Sequence, residues 1–376
     1  MTGAGTRNER IDLIRGVSIL LVLFHHFNIA YHLNDTSLAT AVGWPAVRAV
    51  VRNGNYAVTM FFVVSGYLIT TNADRRWPGL GGIRALQFYG LRVARVLPCL
   101  LLLLFAVNAL ASAGVAIFQN HAPAGTPVSF WLVNLASMTF WMNVLIGTHG
   151  WVNYPLAVLW SLSVEEVFYL TFPLLCLALR RESWLLAFWS GLVVIGPVYR
   201  FFNQGDEGGF LYAYFACFDG IAIGCCAALL AKRIVIKGQA RALLQLLAVA
   251  VMTFVYLYRP IGQSNVLGVT AMALGTAGLL LAVHSRPEGP VSQGPRKFAV
   301  VGWFGRRSYE LYLFHLVVLG MLRTIFPPSS VAGDEKLILL VSFLLFSAAL
   351  SASIARLYAE PLNRNIRRRL AAGKAV

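Results

Sequence analysis

The chain has 376 residues, of which 58% are hydrophobic and 12% charged, and its mean hydropathy is +0.68. A composition this apolar excludes an ordinary soluble domain and a disordered chain, and it is typical of a protein that crosses a membrane many times. The net charge of +16 does not indicate nucleic-acid binding, because the basic residues are scattered over short segments between apolar stretches.

These apolar stretches recur along the whole chain, and a membrane-spanning helix needs about 20 apolar residues. The predicted fold class is therefore all-α, a polytopic membrane helix bundle with about ten transmembrane helices. A single membrane domain is predicted over residues 1–376, with a core at about 11–365 and a basic cytoplasmic tail at 366–376. The candidate stretches are 13–33, 55–72, 93–118, 130–147, 157–179, 184–201, 210–231, 242–258, 264–284, 308–326 and 337–358.

Stretch 130–147 is the one that we predict does not cross the membrane. Loops on the cytoplasmic side are enriched in Lys and Arg. If the amino terminus is cytoplasmic and 130–147 does not cross, 25 of the 31 Lys and Arg residues fall inside, including Arg286 of a Pro/Gly-rich loop at 286–290. This bias predicts ten crossings of a bacterial inner membrane with both termini cytoplasmic, and it places uncharged segment 119–156 at the outer face. The basic residues left outside are Arg48, Arg52, Arg200, Arg259, Arg323 and Lys336.

The first stretch contains the sequence D-L-I-R-G followed by a pair of histidines. Arg15 and His26 are eleven residues apart, so they share one helix face and lie about 16 Å apart along its axis. Arg15 could extend to lipid phosphates and His26 could be a packing residue. Polar groups deep in a membrane usually face a functional interior, however, which favours His26 as a residue that transfers protons. His25 points about 100° away and is predicted to be structural.

The second and third stretches contain F-F-V-V-S-G-Y-L and R-V-A-R-V-L-P. Ser65 is predicted to support the site, and Gly66 is predicted to permit close approach of a neighbouring helix. Arg92 and Arg95 are one helical turn apart, so both can reach one anionic ligand such as the phosphates of coenzyme A. Cytoplasmic topology alone would also place arginines there.

The stretch at 157–179 reads L-W-S-L-S-V-E-E-V-F-Y-L in its first half. Glu165 is predicted to lie about 12 Å from the outer end of this helix, at a depth similar to that of His26. Acidic residues there cost roughly 2.5–3.5 kcal/mol each, so a partner is expected. A His–Glu pair would orient the imidazole and stabilise its protonated form. Glu166 is rotated by about 100°, so only one of the two is predicted to be catalytic, with Tyr169 in support.

The stretch at 308–326 begins S-Y-E-L-Y-L-F-H. Ser308, Tyr312 and His315 are spaced four and three residues apart and form a polar stripe that should face the bundle interior. Whether this stripe contacts substrate or only joins helices stays open, and Glu310 is assigned no role. The five cysteines lie in apolar stretches without metal-ligand or disulfide spacing, so no metal is expected.

Together these segments resemble the acyltransferase-3 family of integral-membrane acyltransferases, which includes bacterial O-antigen, exopolysaccharide and antibiotic O-acyltransferases. Six motifs occur in the family order over most of residues 11–365. The 376 residues contain no carboxy-terminal esterase-like domain of the kind that many larger members have, so any transfer at the outer face is expected to use the core alone. The first motif contains Arg15 and His26, and the other five start at Phe61, Arg92, Trp160, Ser308 and Glu360.

The resemblance implies an enzyme that takes acetyl-CoA or another acyl-CoA from the cytoplasm and acylates a hydroxyl of a carbohydrate or glycoconjugate. It implies catalytic roles for Arg15, His26 and Glu165 and cofactor binding by Arg92 and Arg95. His26 would act as a base oriented by Glu165 or carry the acyl group itself. The alternative is a proton-coupled secondary transporter, since intramembrane His and Glu also form proton relays. Beyond the lipid bilayer and the acceptor no partner is predicted, and the oligomeric state stays open.

Overall fold

The computed structural model describes residues 8–123, 125–284 and 298–372. The predicted loop at 286–290 and the end of the predicted tail, 373–376, lie outside the described residues, as do the basic residues Arg7, Arg296 and Lys297. The described helices are α1 Glu9–Tyr31, α2 Ser37–Val42, α3 Trp44–Val51, α4 Gly54–Arg76, α5 Ala85–Ser112, α6 Phe130–Met138, α7 Met142–His149, α8 Leu159–Leu179, α9 Glu182–Phe202, α10 Tyr214–Ala231, α11 Gly238–Tyr258, α12 Ile261–His284, α13 Ala299–Arg306, α14 Ser308–Ile325, α15 Glu335–Ile354 and α16 Glu360–Ala372.

Nine helical segments within the described ranges are long and apolar enough to cross a membrane. They account for nine of the predicted crossings and confirm an all-α polytopic bundle. The stretch predicted as the remaining crossing forms α14, which packs against α1, α5 and α15. Its buried residues include the polar side chains of Glu310 and His315.

Residues 130–147 do not form one long helix. They are divided between α6 and α7, which have nine and eight residues and extend about 13 Å each, far less than the hydrocarbon core. The break falls at Phe140, whose φ of 61° is incompatible with a continuing right-handed helix. The structure therefore agrees with the prediction that this stretch does not cross.

The peripheral helices have apolar outer surfaces. In the most apolar part of α9 and of α11, only 22% and 17% of the residues are buried, respectively. Water would disfavour these surfaces strongly, whereas lipid chains solvate them without cost. Their exposed apolar residues include Trp184, Phe188, Val194, Phe201, Leu243, Leu246, Val251 and Phe254.

The centre of the bundle is a close crossing of α4 and α10. A Cβ atom added at Gly66 would lie 2.2 Å from the carbonyl oxygen of Ile221, and one added at Gly224 would lie 2.1 Å from the carbonyl oxygen of Val63. Each glycine therefore lies directly against the backbone of the other helix, as in small-residue crossings generally. The prediction that Gly66 permits close helix approach is confirmed.

Gly224→Ala is expected to lower the thermal stability of the detergent-solubilised protein by the equivalent of about 1–3 kcal/mol, because a backbone carbonyl cannot move away from the new methyl group. The matched control is Gly191→Ala in α9, where an added Cβ atom has nothing within 4 Å. The control is expected to be neutral or slightly stabilising, since Ala favours a helix over Gly. Equal melting temperatures for the two variants would contradict this interpretation of the crossing.

Arg200, which we counted among the basic residues on the outer side, lies in the last turn of α9 and is fully buried. Its guanidinium donates to both carboxylate oxygens of Asp219 on α10, at 3.0 and 2.7 Å, and to the hydroxyl of Thr270 on α12 at 2.7 Å. Gly196 leaves room for this carboxylate, because a Cβ atom there would lie 2.5 Å from it. A buried charge is stable only with such a partner, so tertiary pairing, which the sequence did not predict, explains why Arg200 lies inside the bundle.

Short helices α2 and α3 lie between the first two long helices, in a region where no helix was predicted. Lys336, at the start of α15, donates to the carboxylate of Asp35 at 2.6 Å and to the carbonyl of His32 at 3.1 Å. The pKa of Asp35 is lowered below its ordinary value mainly by the hydrogen bond from Lys336 and to a smaller extent by one from the Gly333 amide. This contact ties the segment after α1 to the segment before α15.

Candidate functional site

The predicted site residues come from five helices, α1, α4, α5, α8 and α14. These helices pack around a polar interior that extends inward from the basic end of the bundle, which we define by Arg76, Arg92 and Arg307. The arrangement has two parts: a histidine pair between α1 and α14, and a group of arginines and carboxylates nearer the basic end.

His26 of α1 lies against His315 of α14. Their ring centres are 4.9 Å apart, and His26 Nδ1 is 3.3 Å from His315 Nε2. His26 Nδ1 also lies 3.0 Å from the carbonyl oxygen of Val22, while His315 is fully buried. The structure thus brings together two histidines that the sequence placed on separate helices.

The hydrogen-bond partners determine the tautomer of each ring. His315 Nδ1 faces the carbonyl oxygens of Leu311 and Tyr312 at 3.0 and 2.8 Å, so it carries the proton and leaves Nε2 as an acceptor. His26 Nδ1 then donates to Val22 and to His315, since neither partner atom can donate. The remaining nitrogen, His26 Nε2, keeps a free lone pair, which is the state a general base requires.

Glu165 is not the partner of His26. No hydrogen bond or ion pair joins these two side chains in the described structure, and the expected His–Glu pair is replaced by the His–His pair. The hydroxyl of Tyr169 donates to Glu165 at 2.8 Å and lies 2.8 Å from the hydroxyl of Ser65 on α4. Because Tyr169 donates to the carboxylate, Ser65 donates to Tyr169, and the three groups form one chain.

A stripe of three residues on α8 connects the two parts of the site. Ser161, Glu165 and Tyr169 are spaced four residues apart and so share one helix face. Ser161 lies 2.7 Å from the hydroxyl of Tyr312, one turn from His315 on α14. At the other end of the stripe, the guanidinium of Arg92 lies 5.6 Å from the centre of the Tyr169 ring. The spacing of Ser161 is visible in the sequence, but sequence reasoning missed it.

Arg92 and Arg95 lie further along α5 than we predicted, because the helix begins at Ala85 and not near residue 93. Arg92 also contacts the ring of Phe88, at 5.7 Å from its centre. Arg95 lies 4.9 Å from the ring centre of Tyr309, whose hydroxyl donates to the carbonyl of Val96. Both cations are therefore held by aromatic rings within the half-buried part of the site.

Glu310 is a site residue that sequence reasoning left without a role. It is 3% exposed, and its carboxylate lies 3.9 Å from Arg95. A lone acidic residue in a membrane helix is costly unless it is paired, and this cost was the signal that could have identified it. Tyr309 and His315 are six residues apart on α14, so the arginine group and the histidine pair are separated by about 9 Å along that helix.

Four buried polar atoms around the arginines have no hydrogen-bond partner among the described residues. They belong to one cation, two carboxylates and one hydroxyl, and buried polar atoms are normally paired. A group of unmet donors and acceptors fits a ligand that carries both anionic groups and amides. The atoms are Arg92 Nε, Glu166 Oε1, Ser308 Oγ and Glu310 Oε2.

Arg15 and His25 do not belong to the His26–His315 pair and have other partners. Arg15 is half-buried on α1 and, like Arg92, interacts electrostatically with Glu165. His25 Nδ1 lies 3.0 Å from the carbonyl oxygen of Val51, and Gly54 packs directly on its ring. His25 thus joins α1 to α3 and α4, in keeping with the predicted structural role. No group of three or more His, Cys, Asp or Glu side chains suited to a metal is present in the described ranges.

Comparison with known proteins identifies relatives along most of the chain. The profile of a family described as an acyltransferase domain, acyltransferase-3, matches residues 8–356. The peptidoglycan O-acetyltransferase OatA of Listeria monocytogenes is 25% identical over 82% of this chain and 49% of its own length. The putative peptidoglycan O-acetyltransferase YrhL of Bacillus subtilis is 25% identical over 82% of this chain and 48% of its own.

A putative O-acetyltransferase of Staphylococcus aureus is 27% identical over 54% of this chain and 31% of its own length. The chain spans about half the length of the two peptidoglycan O-acetyltransferases that it matches. No solved structure matches the chain.

Proposed function

Because the chain belongs to the acyltransferase-3 family, we propose that it is a membrane O-acyltransferase that moves an acetyl group from acetyl-CoA to a hydroxyl of a carbohydrate or glycoconjugate. The observation that carries the proposal is the α8 stripe of Ser161, Glu165 and Tyr169. This stripe joins the arginine that would hold the donor to α14, which carries His315 of the histidine pair. Family membership favours an enzyme over the proton-coupled transporter.

Arg92 and Arg95 would bind the phosphates of the acyl donor. Guanidinium groups suit phosphates because they present several donors in a planar fork. The unpartnered Nε of Arg92 and the nearby unpartnered acceptors support this assignment, since the pantetheine arm of coenzyme A offers amide donors and acceptors. Glu310 neutralises part of the charge of Arg95, so Arg92 is expected to contribute more to anion binding.

His26 would act as the general base. The acceptor oxygen attacks the thioester carbonyl while its proton moves to His26 Nε2, a C–O bond forms, and the C–S bond breaks. Coenzyme A leaves as a thiolate, which takes the proton back from the imidazolium. His315 stabilises this imidazolium by continuing to accept from His26 Nδ1. Glu165, held by Tyr169 and Ser65, supplies a negative charge to the site and does not orient the base directly.

The acceptor class and the orientation are part of the proposal. The two peptidoglycan O-acetyltransferases among the relatives support a cell-wall or cell-surface glycan as acceptor. The basic end would face the cytoplasm, where acetyl-CoA is made, and the chain would lie in the bacterial inner membrane with both termini cytoplasmic. Incubation of the protein in lipid nanodiscs with radiolabelled acetyl-CoA and soluble peptidoglycan fragments tests the reaction by transfer of label to the fragments.

Arg92→Ala is expected to weaken acetyl-CoA binding about ten- to hundredfold, as loss of charge-assisted hydrogen bonds to phosphate predicts. Binding can be measured by calorimetry in nanodiscs. Arg84→Ala is the matched control, because Arg84 is an exposed arginine at the same end of α5. An equal loss in both variants would mean that general surface charge, and not a defined site, holds the donor.

A further inference from the structure

Helix α16 packs against the start of α5, beside the arginine group. The side chain of Leu370 lies 3.1 Å from where a Cβ atom of Gly90 would stand, so the absence of a side chain at Gly90 admits α16. At the other end of α16, Glu360 pairs with Arg307, the residue that precedes α14. The helix is thus fixed at both ends to elements that carry site residues, although the sequence predicted most of it as a tail.

One face of α16 points toward this packing surface. Asn363, Arg367 and Leu370 are spaced four and three residues apart and share that face. Asn363 Oδ1 is buried without a hydrogen-bond partner. Arg368 is about 200° away from Leu370 around the helix and lies on the opposite face. The two neighbouring arginines therefore differ in the direction of their side chains.

Arg367 increases the positive charge at the basic end. It lies close enough to Arg76, Arg92 and Arg95 for mutual electrostatic repulsion, although its own side chain is exposed. Apart from Glu360, which pairs with Arg307, α16 has no acidic residue that could offset this charge. Four guanidiniums close enough to repel one another favour the binding of an anion with several negative charges.

We propose that Arg367 is a further donor-binding residue, which contacts a phosphate of acyl-CoA when the acyl donor lies against Arg92 and Arg95. The inference rests on the proposed function, since it adds a residue to the same donor site. It makes α16 one wall of that site, so that binding of the donor relieves the repulsion among the arginines. The same phosphate chemistry is offered by anionic lipid headgroups, and the test separates the two sources.

The test compares Arg367→Gln with its matched control Arg368→Gln, in nanodiscs of phosphatidylcholine alone and with added phosphatidylglycerol. We expect Arg367→Gln to weaken binding of coenzyme A about tenfold in both lipids, with Arg368→Gln unchanged. A second variant, Arg367→Lys, should recover part of the affinity, because it keeps the charge without the planar fork. Size-exclusion profiles and melting temperatures check that each variant is folded.

Three outcomes would overturn the inference in distinguishable ways. Unchanged coenzyme A affinity in Arg367→Gln, with a wild type that binds, would remove Arg367 from the site and leave the proposed function intact. An effect that appears only with phosphatidylglycerol would assign Arg367 to a lipid headgroup. Failure of the wild type to bind coenzyme A in either lipid would reject the proposed donor itself, and the inference with it.

Discussion

His26→Ala is expected to reduce acetyl transfer about 10²- to 10⁴-fold while leaving acetyl-CoA binding within a factor of about three, because loss of a general base slows proton removal and leaves the phosphate contacts intact. The two quantities are measured separately, by transfer of label and by calorimetry in nanodiscs. A fall in transfer that came entirely from weaker donor binding would contradict the role of base.

His25→Ala is the control for this prediction. It changes the same residue type at the adjacent position, but it removes the contact with the Val51 carbonyl, away from His315. We expect it to lower thermal stability modestly, by about 1 kcal/mol for one lost hydrogen bond, and to reduce transfer much less than His26→Ala.

His315→Ala tests the partner of the base. Without His315 Nε2, His26 keeps its tautomer through the Val22 carbonyl and loses only the group that stabilises its imidazolium. An intermediate loss of transfer, about tenfold or more, is therefore expected. If His315→Ala were fully active and Glu165→Gln inactive, Glu165 would be the partner that matters during the reaction.

Asp219→Ala is expected to destabilise the protein by about 3–5 kcal/mol, because it leaves the charge of Arg200 buried without its partner. Both side chains of this pair are 0% exposed, so water cannot replace the lost contact. The change should appear as a large fall in the melting temperature in detergent and in the yield of folded protein.

The double variant Arg200→Met, Asp219→Ala isolates the cause. Removing both charges eliminates the unpaired ion, so the double variant is expected to be more stable than Asp219→Ala alone. If the double variant were as unstable as the single one, loss of packing among α9, α10 and α12 would explain the effect, and the buried charge would not.

The comparison of sequence and structure is clearest for the helices. The predicted bounds of most spans agree with the observed helices to within a few residues, because each span is a mostly apolar run whose ends carry polar residues. The exception is α5, which begins at Ala85 and extends the predicted helix by two turns through Arg92. Charged residues allow a helix to continue past the apolar run, so hydropathy alone places such an end too late.

The sequence did not predict which of the candidate site residues would pair with one another. The spacing on α1 and α14 drew attention to His26 and His315, and the cost of a buried carboxylate drew attention to Glu165. Their partners were not evident from the sequence. The structure joins His26 to His315, Glu165 to Tyr169, and Arg95 to Glu310, a residue to which no role had been assigned.

The sequence by itself determined that this protein is a membrane helix bundle, which residues are too polar to face lipid, and which face of its own helix each occupies. Helical periodicity and the cost of polar groups in lipid are local rules, so they act within one span. Only the tertiary structure decided which faces meet. That choice depends on the rotation and close approach of helices far apart in the chain, as at Gly66 and Gly224, and on ion pairs such as Arg200 with Asp219.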